Sequence, residues 1–296
     1  MGALEEVQDA VVAAAEKVGP SVVGLRGRRA RGSGVVIAPG KVLTTAHALG
    51  GERTGVRLAD GRREQGEVVA SDPARDLAVV AVDTGDAPAV ELADRAPGAP
   101  GEPVLALARP AGRGLRVTLG FVSAADRRFR GPRGRRLEAI EHTAPLPPGS
   151  SGGALVDRAG RLLGLNAVRL EGGLILALAT SPVRDAIERL VAGQAPARRE
   201  LGIAIAPPRV ARRLQSALGL PERDGVLVRG VAAEGPAARA GLQRGDLIVG
   251  VGGREVDDLD VLYSALEQDK PELALAIVRG GEDLELQVEL DVKEAA

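Results

Sequence analysis

A chain of 296 residues, 45% of them apolar, can build two domains of ordinary size with a core in each. Its formal net charge of −1 gives no overall attraction to nucleic acid or to an anionic membrane, so no nucleic-acid partner is expected. Cysteine is absent, which removes disulfides, thiolate catalysis and cysteine-ligated zinc; with two His, two Phe, one Tyr and no Trp, neither a histidine-rich metal site nor an aromatic core is expected.

Leu4, Val7, Val11, Val12, Ala15 and Val18 recur at helical spacing and Gly19-Pro20 ends the run, which predicts one amphipathic helix over 4–18. This segment carries Glu and Asp where an export signal carries Lys or Arg, and it has no apolar run long enough to span a membrane. The expectation is a cytoplasmic chain, or one whose export or anchor segment has been removed. After Pro20 the pattern changes to short apolar runs closed by Gly, Pro and Asp: "SVVGLRG", "GSGVVIAPG", "VLTTAHAL", "GVRLADGRREQGEVVAS", "DLAVVAVD", "EPVLALAR", "RVTLGFVSA", "RRLEAIEHTA", "GALVDRAGRLLGLNAV" and "GLILALAT". Many short strands at such spacing predict an all-β sandwich or barrel. A helix then closes the region, with Ser181 as N-cap, Pro182 at the first helical position, Val183, Ile187, Leu190 and Val191 as the apolar stripe, and Gly193 as the stop.

The segment "GQAPARRE", 193–200, reads as a linker, which divides the chain into domains over 1–197 and 198–296. Beyond it the pattern is mixed: strand "LGIAIA", helix "VARRLQSALGL", strand "GVLVRGV", short helix "GPAARAGL", strand "DLIVGVGG", helix "LDVLYSALEQ", and a hairpin "ELALAIVRGGEDLELQVEL" turning on Gly280-Gly281. That describes a small α+β domain.

Acyl transfer by a serine needs a hydroxyl, a base and backbone donors for the oxyanion. His47 ends the apolar strand "VLTTAHAL", where a turn can hold the ring at a surface. His142 alternates with Leu137, Ala139 and Ile140 and reads as a strand histidine, solvated or bonded to its neighbour Glu141. Of two aspartates in "SDPARDLAVVAV", Asp72 precedes Pro73 and suits a turn, whereas Asp76 leads into an apolar strand where a carboxylate needs a partner. In "PPGSSGGAL", Gly149, Gly152 and Gly153 permit the dihedrals that aim peptide N–H groups into one concavity beside Ser150 and Ser151. The order His, Asp, Ser along the chain is that of the chymotrypsin class.

The motifs "GSGVVIAPGKVLTTAHAL", "DPARDLAVVAV", "VTLGFVSA", "PPGSSGGALVDRAGRLLGLNAV" and "RRELGI" resemble those of the HtrA (Deg) family of trypsin-like serine proteases with one C-terminal PDZ domain, and the likeness runs from about residue 18 to 290. The resemblance implies a mainly β fold: a chymotrypsin-like double β-barrel protease domain followed by a small α+β PDZ domain. It implies His47 as general base, Asp76 as its orienting partner and Ser151 as nucleophile, with the backbone N–H groups of Gly149 and Ser151 as the oxyanion hole. Ser150 stands where the family motif GNSGG has Asn. The primary pocket would be formed by Pro145, Leu146, Leu165, Asn166, Ala167 and Val168 and would favour small or medium aliphatic side chains. In the PDZ domain the amides of Leu201, Gly202 and Ile203 would capture a peptide C-terminus. The strand through Ala204 and Ile205 would pair with that peptide, and the helix face of Leu259, Leu262, Tyr263 and Leu266 must be shared between core and groove, with Leu262 and Leu266 as the groove candidates and core as the alternative for each.

What the family implies overall is a serine endopeptidase of protein quality control, cleaving unfolded or misfolded proteins without a metal or organic cofactor. It implies a homo-oligomer, a trimer in relatives, located in the bacterial cell envelope or periplasm. Two alternatives are a regulatory protease for one substrate and a proteolytically inactive peptide-binding or chaperone-like protein. The arginine-rich "RRFRGPRGRR", 127–136, reads as a solvated loop and matches the family's activation-relay loop, while "GVGGREV" lacks the full glycine pattern of a dinucleotide site and reads as a PDZ turn.

Overall fold

The computed structural model describes residues 2–27, 31–95, 99–110, 114–131, 135–195, 198–206, 210–212, 216, 223–266, 268 and 270–293. The chain divides into two compact units, Met1–Ala195 and Pro196–Ala296.

In the first unit, helix α1 (Ala3–Val18) buries only the C-terminal half of its apolar stripe: Ala14 and Val18 are in the core, whereas Leu4 is 84% exposed. A 3₁₀ turn over Gly19–Ser21 leads into six antiparallel strands, β1 (Val22–Arg26), β2 (Arg31–Ala38), β3 (Lys41–Thr45), β4 (Arg53–Arg57), β5 (Arg63–Asp72) and β6 (Leu77–Ala81). They close into a barrel in the order β1-β2-β3-β6-β5-β4. A second barrel, β10-β11-β12-β9-β8-β7, is made by β7 (Pro103–Ala108), β8 (Arg116–Arg130), β9 (Arg136–His142), β10 (Ala154–Val156), β11 (Leu162–Arg169) and β12 (Ile175–Ala179). Strand alternation explains how aliphatic residues fill three spaces at once. Val42 points into the first barrel with Val23, Leu25 and Val80, while its neighbour Leu43 joins Leu77, Leu107, Leu165 and Leu178 in a cluster between the barrels.

Two expectations change here. The arginine run is not a loop throughout: β8 continues to Arg130 and β9 begins at Arg136, with Arg127 opposite Ala139 and Arg128 opposite Glu138. The reason is cross-strand pairing of opposite charges, Arg127 with Glu141 at 3.0 Å and Arg128 with Glu138 at 3.9 Å, together with Phe129 packing on the core. Residues 132–134 of that run lie outside the described residues. Ser181 is not an α-helical N-cap either, because Ser181–Val183 forms a 3₁₀ turn before α2 (Arg184–Val191), and no side chain caps α2.

In the second unit, β13 (Arg198–Arg199) pairs with β20 (Val292–Lys293), so the end of the expected linker is strand. The main sheet runs β14-β15-β16-β18-β19, from β14 (Ile203–Ala206), β15 (Val226–Val231), β16 (Leu247–Val251), β18 (Glu272–Arg279) and β19 (Glu282–Glu289), with β17 (Arg254–Glu255) paired to β16. Short helix α3 (Pro236–Arg239) and helix α4 (Leu259–Leu266) pack on it. The hairpin turns on Gly280 and Gly281, whose φ values of +58° and +96° suit glycine. The helix expected over 210–220 falls largely outside the described residues.

Candidate active site

β3 ends at Thr45, and a 3₁₀ turn over Ala46–Ala48 lifts His47 off the first barrel. Thr45 pairs with Leu77, which puts Asp76, the residue before β6, directly beside that turn. The Asp76 carboxylate accepts twice from His47, from Nδ1 at 2.7 Å and from the backbone N–H at 2.9 Å, and the Asp76 carbonyl accepts from Ala46 N–H at 3.1 Å. Asp76 is 2% exposed and has φ +56°, the one non-glycine positive φ among the described residues. Such a conformation costs on the order of 1–3 kcal/mol and persists where neighbours over-determine it. A carboxylate at Nδ1 keeps the ring proton there and leaves Nε2 free to accept another.

The serine turn comes from the second barrel. Gly149 and Gly152 have φ +89° and +82°, and a Cβ on Gly152 would lie 2.2 Å from both the Ser33 carbonyl oxygen and Thr44 Oγ1, so only glycine fits there. The turn is closed internally by Ser150 Oγ donating to the Pro147 carbonyl at 2.7 Å and Gly153 N–H donating to the Ser150 carbonyl at 2.9 Å. It is tied to β11 by Gly152 N–H donating to the Asn166 carbonyl at 2.7 Å. Among the described residues, no group accepts from the N–H groups of Gly149 or Ser151. The two turns meet at β2: a Cβ on Gly32 would sit 2.7 Å from Ala48 Cβ and 3.0 Å from the Ser151 carbonyl oxygen. The Ser151 hydroxyl donates to the Ala167 carbonyl at 3.2 Å and is not bonded to His47.

A cavity of about 80 Å³ beside this turn is lined by Leu146, Asn166, Ala167 and Val168, and also by Pro147, Pro148, Arg169 and Ile175. Two expected residues lie outside it. Pro145 is exposed while Leu146 turns inward, and Leu165 faces the core between the barrels because its neighbour Asn166 takes the other face of β11. Arg169 was not among the expected pocket residues, which end at Val168; β11 runs one residue further, opposite Ile175.

His142 also differs from expectation. It is neither solvated nor bonded to Glu141, which instead takes Ser123 Oγ and Arg127. Its ring is fully buried, with Nε2 3.0 Å from Asn166 Oδ1 and Nδ1 without a partner. Asn166 Nδ2 donates to the Gly153 and Ala154 carbonyls, at 3.1 and 3.0 Å, which fixes its oxygen toward His142. Burial lowers the His142 pKa to about 4, against a smaller opposing effect of the Asn166 bond.

In the second unit, Gly202 has φ +72°, and the carbonyls of Leu201 and Gly202 accept from Ala237 and Ala232 N–H at 3.0 and 2.8 Å. Among the described residues, the strand holding Ile203, Ala204 and Ile205 stands at the edge of its sheet, with one side unpaired. Leu266 is half-buried, but Leu262 is 2% exposed and belongs to the core, because the inner face of α4 packs on the sheet. A cavity of about 250 Å³ beside Gly202 is lined by Glu200, Glu234 and Asp291 together with Gly235 and Pro236, and Asp291 is paired with Arg239 at 2.6 Å.

Two closed six-stranded barrels, one contributing a paired histidine and aspartate and the other a glycine-flanked serine turn, define a trypsin-like serine peptidase fold, here followed by a PDZ-type unit. The family model for a trypsin-like peptidase domain matches residues 32–165 and that for a PDZ domain matches 227–279. "Putative serine protease HhoA" of Synechocystis sp. is 34% identical over 275 residues, covering 88% of this chain and 70% of that protein. "Probable periplasmic serine endoprotease DegP-like" of Halomonas elongata is 33% identical over 264 residues, covering 86% of this chain and 55% of that protein. The chain thus spans about half the length of the first curated relatives it matches. The solved structure of the HtrA-type protease AlgW with a decapeptide aligns at a TM-score of 0.73 and 27% identity over 97% of this chain and 99% of that one; with a tripeptide the identity is 30%, over 97% and 98%. This chain belongs to the HtrA family of trypsin-like serine proteases. Among the described residues, no helix is long and apolar enough to cross a membrane.

Proposed function

We propose that this chain is a serine endopeptidase in which Ser151 is the nucleophile, His47 the general base and Asp76 the residue that holds the imidazole. The observation that carries this is the double hydrogen bond from His47 to a buried Asp76, met at β2 by the Ser151 turn. Ser151 Oγ would attack the scissile carbonyl carbon while His47 Nε2 takes its proton. The oxyanion would accept from the free N–H groups of Gly149 and Ser151. His47 would then return the proton to the leaving amine, and water would release the acyl group by the same sequence of steps. Ser151 Oγ, which rests on the Ala167 carbonyl, would first have to leave it for His47. An extended substrate running along β11 would compete for that same carbonyl.

The small cavity wall of Leu146, Ala167, Val168 and Ile175 supports small or medium aliphatic side chains, and Arg169 adds a positive charge that favours acidic ones beside them. Recognition of an extended backbone and a small side chain suits unfolded or misfolded polypeptides. The open edge of β14 supports capture of peptide C-termini by strand addition. By family likeness we further propose a homo-oligomer of the bacterial cell envelope.

Casein cleavage by the full chain at pH 6 to 9, abolished in Ser151→Ala, is the expected result. Cleavage retained in that variant, or none by the wild type, overturns the reading. The Ser151 hydroxyl resting on Ala167 favours a second reading, a protease switched on when a peptide fills the PDZ groove. Rates unchanged by an added C-terminal peptide would rule that out.

A further inference from the structure

Gly149 and Ser151 carry the two N–H groups assigned to the oxyanion, and a single residue of the first barrel holds the carbonyls of both. We propose that Ser33, on β2, is a positioning residue for the oxyanion site, an inference that rests on Ser151 being the nucleophile. Ser33 is fully buried, and every polar group it has is engaged. Its N–H donates to the Ser151 carbonyl at 2.7 Å, its Oγ donates to the Gly149 carbonyl at 3.2 Å and accepts from Arg109 N–H at 3.0 Å, and its carbonyl accepts from Thr44 Oγ1 at 2.7 Å.

The direction of the hydroxyl is forced. Arg109 N–H can only donate, so the one hydroxyl proton goes to the Gly149 carbonyl. Because a peptide is planar, fixing the carbonyls of Gly149 and Ser151 fixes the planes on either side of the peptide that carries Ser151 N–H. Gly149, at φ +89°, has the conformational freedom of a glycine, which an external restraint on its carbonyl reduces. The restraint is itself anchored, since the buried Arg109 guanidinium donates from Nε to the Val22 carbonyl at 2.8 Å and from Nη2 to the Gly19 carbonyl at 3.3 Å. A rigid path of hydrogen bonds thus runs from the start of the first barrel to the oxyanion donors.

Ser33→Ala removes the hydroxyl and leaves both backbone bonds of residue 33 in place, so it releases the Gly149 carbonyl and leaves the Arg109 N–H without its acceptor. On a chromogenic peptide substrate, kcat is expected to fall at least about tenfold with KM changed less than about twofold. The inhibition constant of a peptide boronic acid, whose tetrahedral adduct occupies the oxyanion site, should rise by the same factor. Binding of an uncleaved peptide, compared in Ser151→Ala with and without Ser33→Ala, should not change. A kcat within twofold of wild type, or a lower kcat with boronic acid inhibition unaltered, overturns the proposal. Should Ser33→Ala fail to fold, Ser33→Cys keeps a weaker donor in place, and the same kcat and boronic acid outcomes support or overturn the proposal. If Ser151→Ala abolishes cleavage while Ser33→Ala keeps wild-type kcat, only the positioning role fails. If Ser151→Ala still cleaves, the nucleophile assignment fails and takes this inference with it.

Discussion

His142 has no place in the proposed proton transfers, yet it ties pH to the integrity of the site. Its Nε2 holds Asn166, whose amide holds the carbonyls of Gly153 and Ala154 just after the serine turn. Protonation would give the buried ring a second donor at Nδ1, which has no partner. The groups around it are the neutral Asn166, the strand β12 residue Ile175 opposite, and Val122 of β8; Glu141 points to Arg127 on the other face. Because the folded pKa is about 4 against an ordinary value of 6.5, the unfolded chain takes the proton first as pH falls. This contribution is therefore complete above pH 6.5 and lost progressively down to pH 4, amounting at most to about 3 kcal/mol. In His142→Gln, urea midpoints should fall less steeply between those limits than in the wild type; parallel curves would contradict it. Arg169 acts at the same scale through charge alone. Exchanging it for glutamate should reduce cleavage of peptides with an acidic residue at the pocket relative to neutral ones by roughly 5- to 30-fold, about 1–2 kcal/mol of preference, read by competition between matched substrates.

Strands were legible wherever neighbouring residues alternated between two apolar environments, as Val42 and Leu43 do between the first barrel and the inter-barrel cluster. The extension of β8 was not, because six arginines in ten residues carry no local strand signal. What holds Arg127 and Arg128 in strand is Glu141 and Glu138 on β9, and a partner strand is not visible in a run read by itself. Pro145 and Leu165 failed as pocket residues for a related reason: sequence offset gives proximity to the pocket, while strand face decides who lines it. In the second unit, a comparable non-local tie joins the end of β18 to the loop before β16. Arg279 donates through Nε and Nη2 to the two carboxylate oxygens of Asp246, each at 2.7 Å, and Asp246 is 1% exposed. The Arg279 side chain remains 32% exposed, which tempers the energy of the pair. Arg279→Ala leaves the buried Asp246 carboxylate with the Gln243 N–H as its donor among the described residues and should lower the thermal transition of the second unit. Calorimetry should show one transition lowered while the transition of the first unit and casein cleavage persist; a shift of both transitions would count against it.

At the level of the whole chain, every residue proposed for the chemistry comes from the first unit. The residues of the triad, the oxyanion turn, the pocket wall and the Ser33 restraint all lie between Gly19 and Ile175, within the unit that ends at Ala195. That unit has its own aliphatic clusters in and between two closed barrels, and the PDZ-type unit has a separate core around Val226, Ile248, Leu275 and Val288. Two independent cores imply two units able to fold independently. A chain shortened to end at Ala195 should therefore unfold in one cooperative transition and cleave casein in a Ser151-dependent way, within about tenfold of the full chain, a change of about 1.4 kcal/mol in the barrier. If a C-terminal peptide accelerates the full chain, the shortened one should lose that response entirely, because the edge strand β14 begins at Ile203. A soluble, folded shortened chain with no cleavage would mean that the release of Ser151 Oγ from Ala167 to His47 depends on the second unit. The PDZ domain would then be required for cleavage as well as for peptide binding.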